Sequence, residues 1–560
     1  MATKYRTLQT EPAAPKAPST EYTWEQILHS HIWLIYCLSH PKTYVGPKEY
    51  LKQLATESIQ ETFANARVKR LIGTWELVWG VAIYQFPTSE VNDNTLYIAK
   101  YNDNNPEKDT YVLCIAGTNM KSLYSLMFQD CDLFSTKKWN NGKPWDSRAN
   151  YEATTEPSLS SGFTRGLNVV LNKAKDSNGG LVMDALQNIT SRSTKPIDLF
   201  VVGHSLAGAL APLTALSLFE RPSEWDSKGI ATIKVFSLAA PTPGNKAFQT
   251  YYASKLGGEK TQRLWSPIDI VPNFATKQGL DNTGTIYEPD IPSTPLVDVF
   301  CSVWNRTIEH HDFQYITTQP PYSGQINNDF RIKHINQYPE VKEFLVDQCS
   351  GMIMYVFLKS LEQLEEIPGI GNVMSLFDDT LENTIELGSS IISKSLTEII
   401  DEGVTVDLID EKIESVFEEV LDQIWPMPLP FSPVSLIMSA LPSGLINGES
   451  IYNLMDWYMQ FFYQHTDEYI THYGIQEFFE LKGKITSQVD AKLGKEENKK
   501  QQANTILVNY GKAKNDDIKD LYRGEGKLLE NISDVVAQLK QSGDVERNAQ
   551  PLILIVEKKG

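Results

Sequence analysis

Residues 197–216, "IDLFVVGHSLAGALAPLTAL", predict a strand, a sharp turn and a helix in immediate succession. The first six residues are apolar apart from Asp198, and several are β-branched, which is typical of a strand buried on both faces of a parallel sheet. The residues from 206 onward are mostly helix formers with apolar side chains three and four positions apart, and Pro212 predicts a kink among them. Ser205 is therefore expected at the corner between a central strand and the helix that follows it.

A serine at such a corner is favoured as a nucleophile. The turn pushes the hydroxyl out of the sheet and directs the N–H groups at the start of the helix toward the reacting oxygen. Because strand and helix pass close together there, the neighbours must be small. Gly203 and His204 precede the serine, Ala207 takes the place of the second glycine of the G-x-S-x-G pattern, and Gly208 comes one residue later. The alternative is a buried serine that caps a helix after an ordinary strand.

The composition is that of a globular, acidic protein. With 560 residues, 41% hydrophobic residues and a net charge of −19, the chain can form more than one domain or one large domain with insertions. The negative charge argues against a nucleic-acid partner. No apolar run is long enough for a transmembrane segment, and the N-terminal residues lack the apolar core of a secretory signal.

The five cysteines are few, scattered and odd in number. This usage predicts neither a disulfide framework nor a metal site, and it favours a reducing compartment. We therefore expect a cytoplasmic protein that needs no metal ion, with export by a non-classical route as the alternative.

The predicted elements alternate between strands and helices. A first helix is expected at 23–40, and a helix of the core at 162–174. Strands are predicted at 75–86, 95–102, 110–117, 233–239 and 261–267, in addition to the strand before Ser205. This order predicts an α/β fold with a central, mostly parallel sheet.

Changes in the apolar period and in composition along the chain predict five segments. After about residue 297 the apolar residues follow a helical period with acidic residues between them, and after about Gly483 the chain is rich in lysine and glutamine and ends in a strand-like "PLILIVEKK". The predicted segments are a disordered leader (1–20), an α/β core (21–296), a large helical cap insertion (297–457), a return to the core (458–482) and a C-terminal appendage (483–560).

A serine nucleophile needs a base, an acid and oxyanion donors. "YVLCIAGTN" (111–119) predicts a buried strand that ends near Thr118, so the N–H groups of Thr118 and Leu206 are the predicted oxyanion donors. The alternative for Thr118 is an ordinary turn. "TQRLWSPIDIVPNF" (261–274) makes Asp269 the candidate acid, because it follows an apolar stretch and precedes a turn. Alternatively, Asp269 fixes its own turn through an Asx hydrogen bond.

Taken together, five motifs resemble the landmarks of class 3 lipases, the α/β-hydrolases that include the fungal triacylglycerol lipases. The motifs are "VLCIAGT" (112–118), "SSGFTRGL" (160–167), "GHSLAG" (203–208), "FSLAAPTPGN" (236–245) and "SPIDIVP" (266–272). The resemblance covers about residues 70–275 and a short piece near residue 465. It departs from the family at Ala116, where the family usually has arginine before Gly-Thr, so that a local salt bridge or hydrogen bond of the family is expected to be missing.

The resemblance also guides the choice of the histidine. "FFYQHTDEYITHYGI" (461–475) is similar to the Gln-His followed by Tyr that ends the core of many class 3 lipases, which makes His465 the candidate base. Three histidines closer in sequence to Asp269 are the alternatives: His310, His311 and His334.

The family implies a serine carboxylic-ester hydrolase that acts on lipid esters, of the triacylglycerol lipase or phospholipase type, through an acyl-enzyme and without an organic cofactor. Residues 425–446 carry no charge and include five prolines, which fits an acyl pocket or transient contact with a lipid interface; a buried loop and helix under the insertion is the alternative. A second hypothesis is a non-catalytic, lipase-like scaffold that acts by protein–protein interaction, with the helical insertion as its binding module.

Overall fold

The computed structural model describes residues 20–560 except 87–88, 104, 120–132, 274–275, 309, 318, 365–380, 425–444, 505, 514–551 and 559–560. The predicted leader, apart from Thr20, and the uncharged segment 425–446, apart from its last two residues, lie outside the described residues. The chain separates into two compact units, residues 1–483 and residues 484–560.

The first unit begins with helices and continues as alternating strands and helices. Its helices up to residue 256 are α1 (Trp24–Ile35), α2 (Lys48–Ala64), α3 (Ala66–Ile72), α4 (Ser161–Asn172), α5 (Val182–Arg192), α6 (Leu206–Glu220), α7 (Pro222–Trp225) and α8 (Lys246–Leu256). Its strands up to residue 264 are β1 (Trp75–Tyr84), β2 (Asn94–Tyr101), β3 (Asp109–Ile115), β4 (Thr136–Lys138), β5 (Ala149–Asn150), β6 (Ser158–Ser160), β7 (Ile197–His204), β8 (Ala231–Leu238), β9 (Gly244–Asn245) and β10 (Thr261–Leu264).

The later part of the unit is mainly helical. It contains α9 (Ile270–Asn273), α10 (Lys277–Thr283), α11 (Pro295–Ile308), β11 (Phe313–Gln314), α12 (Pro339–Leu364), α13 (Leu381–Glu402), α14 (Val406–Ile424), α15 (Gly448–His465) and α16 (Asp467–His472). Helix α17 (Gln476–Asn504) begins in this unit and continues past residue 483. Among the described helices, none combines the length and the hydropathy needed to cross a membrane.

A six-stranded sheet in the order β1-β2-β3-β7-β8-β10 forms the centre of the first unit. The strands β3, β7, β8 and β10 run parallel to one another, whereas β1 and β2 are antiparallel to their neighbours. This sheet confirms the predicted α/β fold with a mostly parallel centre. The strand β7 lies between β3 and β8 and is buried except at Phe200, which explains its nearly uninterrupted apolar sequence.

Helix α6 packs directly on this sheet. Every residue from 206 to 218 is buried, so the helix is apolar on all sides, as expected for one enclosed in the core. Pro212 lies inside α6, which nevertheless continues to Glu220. A small antiparallel sheet in the order β11-β9-β6-β4-β5 lies beside the main one.

The predicted insertion is helical, but its predicted limits cut through observed elements. The boundary between 457 and 458 falls inside α15, so one helix belongs to both predicted segments. The strand β11 lies within 297–457 and pairs with β9 of the core, and Phe313 belongs to the hydrophobic cluster of the sheet. The helices α11 to α15 form a second hydrophobic cluster, which also contains Ile270, the residue after Asp269.

The second unit contains the rest of α17 and a two-stranded parallel sheet. Its strands are β12 (Ile506–Ala513) and β13 (Leu552–Lys558), and β13 lies within the predicted strand-like sequence "PLILIVEKK". The predicted start of the appendage at Gly483 lies inside α17.

Candidate active site

Ser205 occupies a strained turn between β7 and α6. Its backbone has φ 60° and ψ −130°, a conformation that non-glycine residues rarely adopt. The N–H of Ser205 donates to the carbonyl of Leu238 at 3.0 Å, which ties the turn to the end of the neighbouring strand. The serine side chain is thereby held at the carboxyl end of the sheet.

Close packing explains the small residues around this turn. A Cβ at Gly203 would lie 2.3 Å from the carbonyl oxygen of Ala207, and a Cβ at Gly208 would lie 2.3 Å from the carbonyl oxygen of Leu238. Ala207 is itself fully buried, so its extra methyl fits within the core. The substitution of alanine for the second glycine of the pattern is therefore compatible with the turn.

The structure brings Ser205, His465 and Asp269 into one chain of hydrogen bonds. Nε2 of His465 lies 2.8 Å from Oγ of Ser205, and Nδ1 of His465 lies 3.0 Å from Oδ2 and 3.1 Å from Oδ1 of Asp269. With Asp269 as a carboxylate, which only accepts hydrogen bonds, Nδ1 carries the proton and Nε2 of the neutral ring can accept the serine proton. This arrangement is the one that activates a serine hydroxyl.

Asp269 is fully buried and accepts further hydrogen bonds. The hydroxyl of Tyr469 donates to Oδ2 at 2.8 Å, and the N–H of Val271 donates to Oδ1 at 3.1 Å. The bond from Val271 is the Asx turn that the sequence offered as an alternative, so one carboxylate both fixes its turn and orients the histidine. Burial and the charge of Asp269 raise the pKa of Tyr469 well above its usual value, which keeps its hydroxyl a donor.

His465 is the last residue of α15 and is held from several sides. The residue is 6% exposed, and its ring stacks on Phe461, one turn earlier, with 5.9 Å between the ring centres. Its carbonyl oxygen lies 2.7 Å from Nε2 of His204. Among the described residues, His465 is the histidine that contacts both Ser205 and Asp269.

The alternative histidines lie elsewhere. His310 is exposed, and His334 lies in a short 3₁₀ segment, Ile332–Gln337. Nε2 of His311 lies 3.3 Å from the carbonyl oxygen of Phe134.

The end of β3 lies against the serine. A Cβ at Gly117 would be 3.1 Å from Cβ of Ser205, and the next residue, Thr118, is 8% exposed. Leu206 is fully buried and begins α6. Of the two predicted oxyanion donors, Thr118 follows Gly117, which lies against Ser205, and Leu206 follows Ser205 itself. Ala116, where the family usually has arginine, is also buried.

His204 connects the turn to α15. Burial holds the pKa of its imidazole well below the usual value, so the ring is neutral and has one N–H. Because the carbonyl oxygen of His465 can only accept, Nε2 of His204 carries that hydrogen and Nδ1 is an acceptor. The hydroxyl of Tyr36 lies 3.1 Å from this Nδ1.

Two tyrosines belong to the site beyond the predicted residues. Tyr469 was recognisable as part of the Gln-His and Tyr motif, but its bond to Asp269 was not predicted. Tyr36 lies far away in sequence, within a segment whose apolar pattern indicates only a buried helix. Among the described residues, no group of three histidine, cysteine, aspartate or glutamate side chains is placed to hold a metal ion.

Comparison with known families gives two matches. Residues 134–279 match the class 3 lipase family, and residues 492–560 match a family of unknown function, DUF6200. No curated protein matches the chain in a sequence comparison.

Several solved lipase structures are similar to part of the chain. The M37 lipase is 23% identical, with 58% of this chain and 93% of that chain covered and a TM-score of 0.47. Lipase II from Rhizopus niveus is 16% identical, with 46% and 76% covered and a TM-score of 0.30. The Lip2 lipase from Yarrowia lipolytica is 18% identical, with 46% and 76% covered and a TM-score of 0.28.

The matched segment contains the strand–turn–helix unit of Ser205 and the turn of Asp269, whereas Thr118 and His465 lie outside it. Over residues 134–279, about a quarter of its length, the chain matches the class 3 lipase family.

Proposed function

We propose that this protein hydrolyses carboxylic esters of lipids through an acyl-enzyme on Ser205. The observation that carries the proposal is the hydrogen-bond chain from Ser205 through His465 to Asp269, at a strained strand-to-helix turn. The match of residues 134–279 to the class 3 lipase family supports the same chemistry. The catalytic residues in this proposal are Ser205, His465 and Asp269, and the oxyanion donors are Thr118 and Leu206.

In the first half of the reaction, Nε2 of His465 accepts the hydroxyl proton as Oγ of Ser205 attacks the ester carbonyl. The carbonyl π electrons move onto oxygen, and the N–H groups of Thr118 and Leu206 stabilise that negative charge. Asp269 stabilises the imidazolium. The tetrahedral intermediate then collapses, and the alcohol leaves with the proton from His465, so that the acyl group remains on the serine.

In the second half, water takes the place of the alcohol. His465 removes a proton from the water, the hydroxide attacks the acyl carbonyl, and Ser205 leaves with the proton returned by His465. The acid is released and the enzyme is restored. All protons and electron pairs come from the ester, the water and these side chains, so the reaction as proposed uses no cofactor.

Three further features complete the proposal. We propose lipid esters as the substrate class, with transient contact to a lipid interface, because Ser205 and Asp269 lie in the segment that matches the class 3 lipase family. The helices of 297–457 act as a cap that affects the acyl-chain preference, since the last of them ends at His465 and their cluster includes the residue after Asp269. The described cysteines are free and buried, which supports a reducing compartment such as the cytoplasm.

Hydrolysis of p-nitrophenyl esters with short and long chains tests the proposal, with and without an emulsified interface. We expect the wild type to be active and Ser205→Ala to lose on the order of 10⁴–10⁶-fold in kcat. Ser217→Ala is the matched control, because it removes a serine hydroxyl from α6, the helix that follows Ser205, and that hydroxyl donates to the carbonyl oxygen of Gly142. A folded wild type that cleaves none of these esters would favour the scaffold hypothesis.

A further inference from the structure

The hydroxyl of Tyr36 lies where the two halves of the proposed oxyanion site meet. Tyr36 opens a short 3₁₀ segment, Tyr36–Leu38, that follows α1, and its side chain is buried. The N–H of Gly117 donates to this hydroxyl at 3.0 Å. The same oxygen lies 3.1 Å from Nδ1 and 3.2 Å from the carbonyl oxygen of His204.

The donor and acceptor roles around this oxygen are mutually consistent. Since His204 is neutral and donates from Nε2 to His465, its Nδ1 accepts. The Tyr36 O–H therefore points toward His204, where two acceptors lie at similar distances, and a lone pair of the same oxygen accepts from Gly117. One hydroxyl thus binds both segments at once.

The sheet itself does not hold these two segments together. Strands β3 and β7 pair in parallel from Asp109 with Ile197 up to Ile115 with Gly203, and the pairing ends there. Beyond that pair, the chain after β3 continues to Gly117 and Thr118, and the chain after β7 turns at Ser205. A substrate carbonyl must fit between them, so their separation has to be fixed by something other than the strand ladder.

We propose that Tyr36 is a positioning residue that fixes the separation of the two oxyanion donors, Thr118 and Leu206. Thr118 follows the residue that donates to Tyr36, and Leu206 lies two residues after the histidine that accepts from it. The inference rests on the proposed function and extends it to a residue of the N-terminal helical segment. We call the hydrogen-bonded group of Tyr36, Gly117 and His204 the clamp. Its members are closely packed, because a Cβ at Gly117 would lie 2.1 Å from the Tyr36 oxygen and 2.4 Å from the His204 carbonyl oxygen.

The same hydroxyl also bears on the base. It fixes the ring of His204, whose Nε2–H in turn holds the backbone carbonyl of His465. Removing it would leave the N–H of Gly117 and Nδ1 of His204 without this partner, so both ends of the clamp would relax. The expected effect is on transition-state binding, because shifting a donor from its place weakens its bond to the oxyanion more than its bond to the neutral substrate carbonyl.

Tyr36→Phe tests the proposal, with Tyr252→Phe as the matched control. Tyr252 is also a buried tyrosine, and its hydroxyl lies 2.7 Å from Oγ1 of Thr261, at the start of β10 and away from the turn at Ser205. We expect Tyr36→Phe to lower kcat by about 10- to 100-fold with KM within about twofold, because a displaced donor loses part of what a deleted donor loses. Tyr252→Phe should lower Tm to a similar extent and leave kcat unchanged.

A second readout separates positioning from stability. A trifluoromethyl ketone with the acyl chain of the substrate forms a tetrahedral adduct on serine that carries an oxyanion. Its inhibition constant should rise in Tyr36→Phe by the same factor by which kcat/KM falls, and it should not change in Tyr252→Phe. A Tyr36→Phe variant with wild-type kcat and wild-type inhibition constant would overturn the role of Tyr36 and leave the proposed function intact.

The remaining outcomes also decide the matter. If the wild type cleaves no ester and forms no adduct, the proposed function and this role fail together. If Tyr36→Phe does not fold, ¹⁵N spectra of the wild type labelled in histidine, assigned with His204→Gln, give the tautomer directly. The Nε2–H form of His204 is expected, and the Nδ1–H form would refute the clamp as assigned, because Nε2 of His204 could not then donate to the carbonyl oxygen of His465 and Tyr36 could donate only to the carbonyl oxygen of His204.

Discussion

Acid should destabilise this protein steeply, because three histidines near the N-terminus are buried in the neutral form. His29 and His31 are fully buried in α1, and His40 is 8% exposed just after it. Burial lowers the pKa of each of the three to about 3, against 6.5 for a solvated histidine. The unfolded chain therefore binds more protons than the folded chain between these two values.

The sign follows from this difference. At pH above 6.5 neither state is protonated at these positions and the full stability is present; as the pH falls toward 3, the unfolded state gains protons and stability is lost. Each pH unit well below 6.5 costs about 1.4 kcal/mol per histidine, so a change from pH 6.5 to pH 5 costs about 1.6 kcal/mol for each and about 5 kcal/mol for the three. That loss is comparable with the whole stability of many proteins, about 5–15 kcal/mol.

His29→Phe isolates one of these protons. Neither ring nitrogen of His29 has a hydrogen-bond partner among the described residues. The ring stacks on Tyr473, with 4.1 Å between the ring centres, and contacts the ring of Phe236 edge-on, with 5.9 Å between the ring centres. A phenyl ring can keep these contacts without binding a proton. We expect the variant to lose about 1.6 kcal/mol less than the wild type between pH 6.5 and pH 5.

Urea unfolding followed by tryptophan fluorescence at pH 5, 6, 7 and 8 measures this difference. His310→Phe serves as the control, because His310 is exposed and its replacement should leave the pH dependence unchanged. If His29→Phe shows the same slope of unfolding free energy against pH as the wild type, His29 is not buried as a neutral ring and the reasoning is refuted.

Three further substitutions have defined outcomes. Gly117→Ala places a Cβ 2.1 Å from the oxygen of Tyr36, so we expect a loss of about 1–3 kcal/mol in urea unfolding together with a fall in kcat; an unchanged variant would contradict the close contact. Tyr469→Phe removes a donor to Asp269 and should lower kcat by about 10- to 100-fold in ester hydrolysis, far less than Ser205→Ala. Burial lowers the pKa of Lys482 to about 7. The pKa of this lysine in the unfolded chain is 10.5, so the unfolding free energy of the wild type should rise by about 2 kcal/mol between pH 7 and pH 9. The unfolding free energy of Lys482→Met should not show this rise.

The parts of the site that could be predicted from local sequence are those that one element determines. Ser205 follows from a strand, a turn and small neighbours within a dozen residues, and Asp269 from a strand end followed by a turn. His465 could not be found in this way, since 196 residues separate it from Asp269 and the helix that carries it looks like any amphipathic helix. The resemblance to class 3 lipases supplied that residue, and local patterns alone left three other histidines open.

Contacts between distant segments could not be predicted. Tyr36 and His204 are 168 residues apart, and nothing in "WLIYCLSH" distinguishes a tyrosine that contacts the turn at Ser205 from one that only fills the core. The predicted segment limit between 457 and 458 falls inside α15 for a related reason. The helical period of the apolar residues continues through α15, so the sequence could not show that this helix packs with the insertion and ends at the site.

The length of the insertion matters little to the geometry of the site, because the bonds that hold His465 come from the sheet side. Asp269, Ser205 and His204 contact its two ring nitrogens and its carbonyl oxygen, and all three lie on the strand ends or the turns next to them. Closing a longer loop costs only about 0.6 kcal/mol for each doubling of its length, whereas a buried hydrogen bond to a charged group contributes about 1.5–3 kcal/mol. The bond to Asp269 alone therefore offsets several doublings, so α12 to α14 can vary in length and composition while the three side chains keep their distances. We accordingly expect variation in substrate preference to arise from changes in those helices. Variation in the chemistry should arise from changes at the turn of Ser205.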